Sequence, residues 1–329
     1  MRFGPVPLAE AKGAILAHSV GVPGGRLRKG LVLERIHLDQ LHAAGLTEVI
    51  VARLAPGDVG EDAAAQRLAE ALVEGAEGIR LGAPGTGRVN LLAEGPGVVQ
   101  LDVPAIHAAN AINAMITVAT VPDLHQMRAN DMIATVKIIS YAVPETAIVA
   151  ACHAAQSAVR LVAPKLRGVS LIVTETDVGA SDKGVRAIAA RLEALEAELS
   201  EIVHVPHETD TVAAALRSAQ GDLVLILTAS ATSDTDDTGP AALRQAGGYV
   251  TRFGMPVDPG NLLFLGHLDK RPVIGLPGCA RSPSLNGADW VLARILCGID
   301  VSAEDIAAMG VGGLLKEIPS RPMPRRGKN

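Results

Sequence analysis

Short unbroken apolar runs alternate along this chain with stretches in which apolar residues recur every three or four positions. The sequence Asp222-Leu223-Val224-Leu225-Ile226-Leu227 is bounded by Gly221 and Thr228. An apolar run of that length, rich in branched residues, is how a strand covered on both faces reads. Residues 169–173, 202–205, 249–251, 262–264 and 273–276 read as further strands. Between them Val185, Ile188, Leu192, Leu195 and Leu199 share one helical face. Residues 209–219 and a segment ending at Ala246 read as helices, and Leu285, Ala288, Leu292 and Ile295 point inward from a last one. Strand and helix alternate from residue 169 onward. That pattern predicts an α/β protein with a three-layer α/β/α domain and a mainly parallel sheet.

The first half is less regular and predicts a mixed α+β region. Residues 8–18 read as a helix, 35–43 as another stopped by Gly45, and 48–52 as a strand. Asp58-Val59-Gly60-Glu61 resembles a capping box opening a helix through Ala65, Leu68 and Leu72 to Gly75. A functional role for Asp58 and Glu61 is the weaker reading. Residues 98–101 and 132–139 read as strands and 104–113 as a helix. The glycine-rich segment 82–90 permits close backbone approach, and Arg88 could face an anion. No GK[ST] follows its glycines, so an ordinary turn is favoured over a phosphate loop. Residues 164–168 read as a linker. The expected regions are 1–165, with room for more than one subdomain, 168–300, and 301–329, a short helix and flexible tail.

Composition narrows the function classes. Apolar residues make up 48% of 329 and aromatics 2%, so Ala, Leu, Val and Ile must fill the cores. A net charge of −5 argues against a general nucleic-acid surface. Mean hydropathy is positive at +0.28, yet no apolar run reaches the roughly 18 residues that suggest a membrane span. Glu10 and Lys12 interrupt the N-terminal apolar stretch, which spoils a signal peptide. Three cysteines without a CxxC fit a reduced, cytoplasmic setting.

Candidate chemistry gathers in three loops. In a parallel sheet, loops 174–183, 228–237 and 277–283 leave the carboxyl ends of strands, where open α/β sheets bind ligands. Each is small and hydroxyl-rich and precedes a helix, whose first N–H groups favour an anion. They supply Thr174, Thr176, Ser181, Asp182, Thr228, Ala229, Ser230, Gly278, Cys279, Arg281 and Ser282. Lys183 and Arg281 bring positive charge, while Asp234 and Asp237 can hold Mg²⁺ against a phosphate. A solvated acidic loop is the competing reading of the second segment. His204 and His207 have a weak zinc-pair spacing that Pro206 interrupts. No GxGxxG or GxSxG lies between a strand and a helix.

The loops resemble those of the molybdenum-cofactor biosynthesis domain shared by molybdopterin adenylyltransferases and molybdopterin molybdotransferases. Three further stretches are similar to the molybdopterin-binding half that precedes a nucleotidyltransferase domain in some bacterial proteins. They are Gly254-Met255-Pro256-Val257-Asp258-Pro259-Gly260-Asn261-Leu262-Leu263, Gly278-Cys279-Ala280-Arg281-Ser282-Pro283 and Asn286-Gly287-Ala288-Asp289-Trp290-Val291-Leu292. The segment 128–144 resembles the stretch leading into that domain. The nucleotidyltransferase half has no counterpart before Asn329.

The resemblance implies a pterin-phosphate site, with Ser181 and Asp182 in the first ligand loop and Thr228 to Ser230 in the second. Asp234 or Asp237 falls near the family's catalytic and metal position. Thr228-Ala229 replaces the molybdotransferases' Gly-Gly pair, and Asp258 and Asn261 flank Pro259-Gly260 where they carry basic residues. The adenylyltransferases' GGTG turn is missing too. Losing cationic donors weakens molybdate insertion more than binding of the organic cofactor. The expectation is a cytoplasmic molybdopterin-binding protein, handing its cofactor to a separate nucleotidyltransferase and assembling as a dimer. The alternative is a transferase that inserts molybdate with Mg²⁺.

Overall fold

The computed structural model describes residues 1–175 and 182–315. The chain divides into two compact units, residues 1–95 with 99–161 and residues 96–98 with 162–329.

The first unit is built on antiparallel pairs. Strands Arg2–Pro7 and Ile15–Leu16 flank Glu48–Arg53, and helix Arg35–Ala43 buries Leu38 and Leu41 with Leu16, Val49 and Val51. A second sheet runs in the order Ile116–Thr120, Met132–Ile138, Arg88–Ala93, Ile79–Leu81. Helices Glu61–Leu72, Val103–Ile112 and Glu145–Ala154 contribute Leu68, Ile106 and Ile148 to its core. The glycine-rich segment is a turn between two of these strands. Gly85 and Arg88 exchange backbone hydrogen bonds there, both at 3.1 Å.

Two expectations fail in this unit for local reasons. Only Leu8–Glu10 forms a helical turn, because Gly13 takes a left-handed φ of +76° and Ile15–Leu16 joins the sheet. Ala11, Ala14 and Ala17, which suggest a helix, are instead buried as small residues in a loop and a strand end. Asp58 caps no helix. Residues Asp58–Gly60 are extended and pair with Ala142–Pro144, and the Asp58 carboxylate accepts from the Ala55 N–H at 2.6 Å. The helix begins one step later at Glu61, without a side-chain cap.

The second unit is a three-layer α/β/α domain. Its elements are β1 (Gly168–Glu175), α1 (Asp182–Glu193), β2 (Glu198–Pro206), α2 (Thr209–Ser218), β3 (Leu223–Leu227) and α3 (Thr238–Gln245). They are followed by β4 (Tyr249–Phe253), β5 (Phe264–Leu268), β6 (Arg271–Leu276), α4 (Gly287–Leu296) and α5 (Ala303–Ala308). The six-stranded sheet has the order β2-β1-β3-β6-β5-β4. Pairs β1–β2, β1–β3 and β3–β6 are parallel, while β6–β5 and β5–β4 are antiparallel. The run of leucines, valine and isoleucine in β3 is buried throughout, as a central strand between two helical layers requires.

On one face Ile172, Val224, Ile226, Phe264 and Val273 pack with Val212 and Leu216 of α2 and Leu243 of α3. Alternation along the strands turns Leu171, Val173, Leu225 and Ile274 to the opposite face, where α1 and α4 supply the cover. Gly275 gives Phe264 its place: a Cβ there would lie 1.9 Å from the phenyl Cε1.

Three element boundaries differ from the periodicity. Helix α1 stops at Glu193 because Glu196 takes a left-handed φ of +54°, so Leu199 belongs to strand β2 rather than to the helical stripe. Residues 262 and 263 lie in the turn after Gly260, and β5 starts at Phe264. Leu285 is 56% exposed, because α4 begins only after Asn286. The tail expected to be flexible falls largely on residues 316–329, which lie outside the described residues. Among the described residues no helix is long and apolar enough to cross a membrane.

Candidate functional site

Register places three loop starts side by side. Val173 of β1 pairs with Leu227 of β3, and Leu227 pairs in turn with Leu276 of β6. Thr174, Thr228 and Pro277 therefore follow on one rim of the sheet, at the carboxyl ends of three adjacent parallel strands. The parallel arrangement inferred from the alternation is thus present where the candidate residues need it.

Side chains tie these loops together. Thr174 is 2% exposed, and its hydroxyl accepts from the Ala229 N–H at 2.7 Å, joining the first loop to the second. The same hydroxyl lies 2.8 Å from His207 Nδ1, and His207 Nε2 lies 3.1 Å from Ser230 Oγ. Thr228 donates its hydroxyl to the Ser230 carbonyl at 2.6 Å, fixing the turn. Arg281 crosses from the third loop and donates from Nη2 to the Thr228 carbonyl at 2.6 Å.

Arg281 is held over the N-terminal turn of α1. A Cβ on Gly184 would lie 3.0 Å from a Leu227 methyl and 3.3 Å from the Arg281 Cγ and Nη1. Glycine is what lets the guanidinium stem lie there. Arg281 is half-buried, and burial alone pushes its pKa below the ordinary guanidinium value. Among the described residues no carboxylate pairs with it. A desolvated cation without a counter-charge is poised for an anion.

The helix behind the third loop offers less than the spacing suggests. Arg281 closes a short 3₁₀ turn, Gly278–Arg281, and α4 starts six residues later. Its first turn is already satisfied: Asn286 Oδ1 accepts from Ala288 N at 2.9 Å, and Asp289 accepts from Asn286 N at 2.7 Å. The free N–H groups expected beside Arg281 are therefore taken by a capping box. Gly278 and Ser282 are exposed and Cys279 is half-buried on the same turn.

The third loop has a second basic partner that periodicity did not single out. Arg191 of α1 donates to the carbonyls of Ala280 and Ser282 at 3.0 and 2.7 Å, and to those of Ser284 and Ala187 at 3.0 Å each. Its Nε meets the carboxylate of Asp289, so the guanidinium is fully used and neutralised. In the sequence Arg191 is one of several charged residues on an amphipathic helix, and nothing there marks it out from Lys183 or Arg186. His207 was legible only as half of a zinc pair. Instead, His204 pairs with Glu175 at 2.5 Å while His207 turns to Thr174 and Ser230.

The acidic loop is organised by its own backbone. Asp237 caps α3: Oδ1 accepts from Thr238 N at 2.7 Å and Oδ2 from Ser233 N at 2.9 Å. Asp234 accepts from the Asp236 N–H at 2.8 Å, and Asp236 pairs with Arg244 at 2.8 Å. Among the described residues no three His, Cys, Asp or Glu side chains are grouped to hold a metal ion. Thr176 and Ser181 lie outside the described residues, and Asp182 opens α1.

Residues 171–293 match the family described as "Probable molybdopterin binding domain". Residues 5–53 match a domain of unknown function, DUF8806. No curated protein matches the chain. A solved structure, the molybdopterin biosynthesis moea protein from Pyrococcus horikosii, is 13% identical with a TM-score of 0.33, covering 90% of this chain and 75% of that one.

Proposed function

We propose, taking residues 168–300 as a molybdopterin-binding domain, that the chain acts in molybdenum cofactor biosynthesis by holding the pterin through its phosphate on the rim of β1, β3 and β6. One observation carries this reading. Among the described residues the half-buried Arg281 donates to one neutral acceptor, the Thr228 carbonyl, and pairs with no carboxylate, on a rim that also carries the hydroxyls of Thr174, Ser230 and Ser282. A phosphate supplies the negative charge and acceptors that such a guanidinium lacks. Thr174, Thr228, Ala229, Ser230, Gly278, Cys279 and Ser282 line the same rim, and Thr176, Ser181 and Asp182 belong to its first loop.

The reading favours binding and transfer to a separate nucleotidyltransferase over molybdate insertion. Both carboxylate oxygens of Asp237 are engaged by backbone N–H groups, and Asp234 spends one on Asp236. Each carboxylate is committed first to shaping its own loop, which leaves it less capacity for Mg²⁺. The test is anaerobic titration of molybdopterin against the wild type and Arg281→Met. The wild type should bind, and the variant should bind about tenfold or more weakly, as loss of a charge-assisted hydrogen bond implies. Its ligand-free melting temperature should not fall far, because a half-buried charge with no counter-charge among the described residues leaves with the hydrogen bond. Equal affinity in the two proteins removes Arg281 and this rim from the site. Turnover with molybdate and Mg²⁺ would instead establish the insertion chemistry.

A further inference from the structure

The hydroxyl of Thr174 constrains a neighbouring imidazole. Thr174 is buried, at 2% exposure, and its hydroxyl already accepts from the Ala229 N–H. Its own proton needs an acceptor, and among the described residues His207 Nδ1, at 2.8 Å, is the one in reach. A threonine hydroxyl holds one proton, and a neutral imidazole has one donor and one acceptor nitrogen. If Thr174 donates to Nδ1, the imidazole proton sits on Nε2, which lies 3.1 Å from Ser230 Oγ. The Ser230 oxygen then accepts from His207, and its own proton is directed elsewhere. Ser230 is exposed on the second loop, and its carbonyl is fixed by the Thr228 hydroxyl at 2.6 Å.

We propose that His207 is a positioning residue, locked by Thr174 in its Nε2–H form so that Ser230 presents its hydroxyl proton to an anionic oxygen of the ligand. The assignment rests on the reading of this rim as the pterin-phosphate site. It also separates two chemistries open to a Ser–His pair. With the proton on Nε2 the imidazole cannot take one from Ser230, so Ser230 is a hydrogen-bond donor and not an activated nucleophile. A buried orienting group that fixes the tautomer of a histidine is the general device by which such choices are made.

The tautomer is read first, in ligand-free protein, from the ¹⁵N shifts of the neutral His207 ring. An unprotonated Nδ1 with a protonated Nε2 supports the lock. A proton on Nδ1 overturns it and makes Ser230 a candidate nucleophile. Anaerobic titration with molybdopterin then compares Ser230→Ala, His207→Ala, His207→Gln and the double alanine variant, with melts to confirm that each folds. Each single alanine variant should bind about tenfold more weakly, and the double variant no worse than Ser230→Ala alone. His207→Gln, whose amide offers an N–H near the Nε2 position, should recover most of the loss. A double variant whose loss is the product of the two single losses overturns the positioning role. A wild-type protein that binds no molybdopterin overturns the reading of the rim and the ligand assigned to Ser230, while the tautomer still decides the lock independently.

Discussion

Cys297 shows what burial does to a single group at the end of α4. It is fully buried, and desolvation pushes its thiol up to about 11 from a reference of 9.0. A folded-state pKa above the unfolded one means that the folded protein holds its proton longer. The stabilisation is complete below pH 9 and is lost as pH rises toward about 11. The melting temperature should therefore fall across that window, and Cys297→Ala should flatten the fall. A wild-type curve no steeper than that of the variant would remove Cys297 from the alkaline transition. Asp237 is the second residue whose surroundings decide its role. As the cap of α3 it should lose about 1 kcal/mol on replacement by Ala and less on replacement by Asn, whose amide keeps one of the two acceptor oxygens. Molybdopterin affinity should stay level in both variants. A drop in affinity with unchanged stability would return Asp237 to the ligand site.

Elements carry a different lesson, because side chains far apart in sequence set loop shape. Arg191 sits on α1 yet fixes the carbonyls of three residues between Ala280 and Ser284, with Asp289 of α4 as its counter-charge. Lysine at this position keeps the charge but cannot serve a planar set of acceptors. Arg191→Lys should lose about 1–3 kcal/mol of stability and weaken molybdopterin binding through the third loop, measured by melts and titration. Unchanged affinity would show that the loop's shape does not depend on this latch. The strands and helices of the second unit were largely legible, since β3 is an uninterrupted apolar run and α1 carries a clear apolar stripe. The boundaries that slipped, at Glu196, Leu262 and Leu285, depend on a left-handed backbone or a cap rather than on hydrophobic spacing.

At the scale of the whole molecule, sequence pattern marked the regular α/β half better than the antiparallel half. Ala11 to Ala17 look helical by composition, but the pairing of Ile15 and Leu16 with Ala52 and Val51 is a long-range choice that local propensity does not contain. The candidate rim was legible as three loops because parallel alternation fixes which ends share an edge. The links within it were not. That Thr174, His207 and Ser230 meet depends on β2 lying beside β1, which places His207 next to the end of the first strand.

The mixed sheet also has a consequence in time. Strands β5 and β6 close over a two-residue turn, Asp269 and Lys270, whereas β1 must find β3, and β3 must find β6, across about fifty residues each. Loop closure over such distances is slow compared with forming a hairpin. The hairpin should be native-like in the folding transition state, and the parallel pairings on its far side should consolidate later. Asp269 has a left-handed φ of +55°. Valine there should cost about 1–2 kcal/mol and appear mainly as slower refolding. Ile172→Val, on the central strand β1, should cost about 0.5–1.5 kcal/mol and appear mainly as faster unfolding. Stopped-flow refolding that leaves Asp269→Val at the wild-type rate would place the nucleus elsewhere in the sheet.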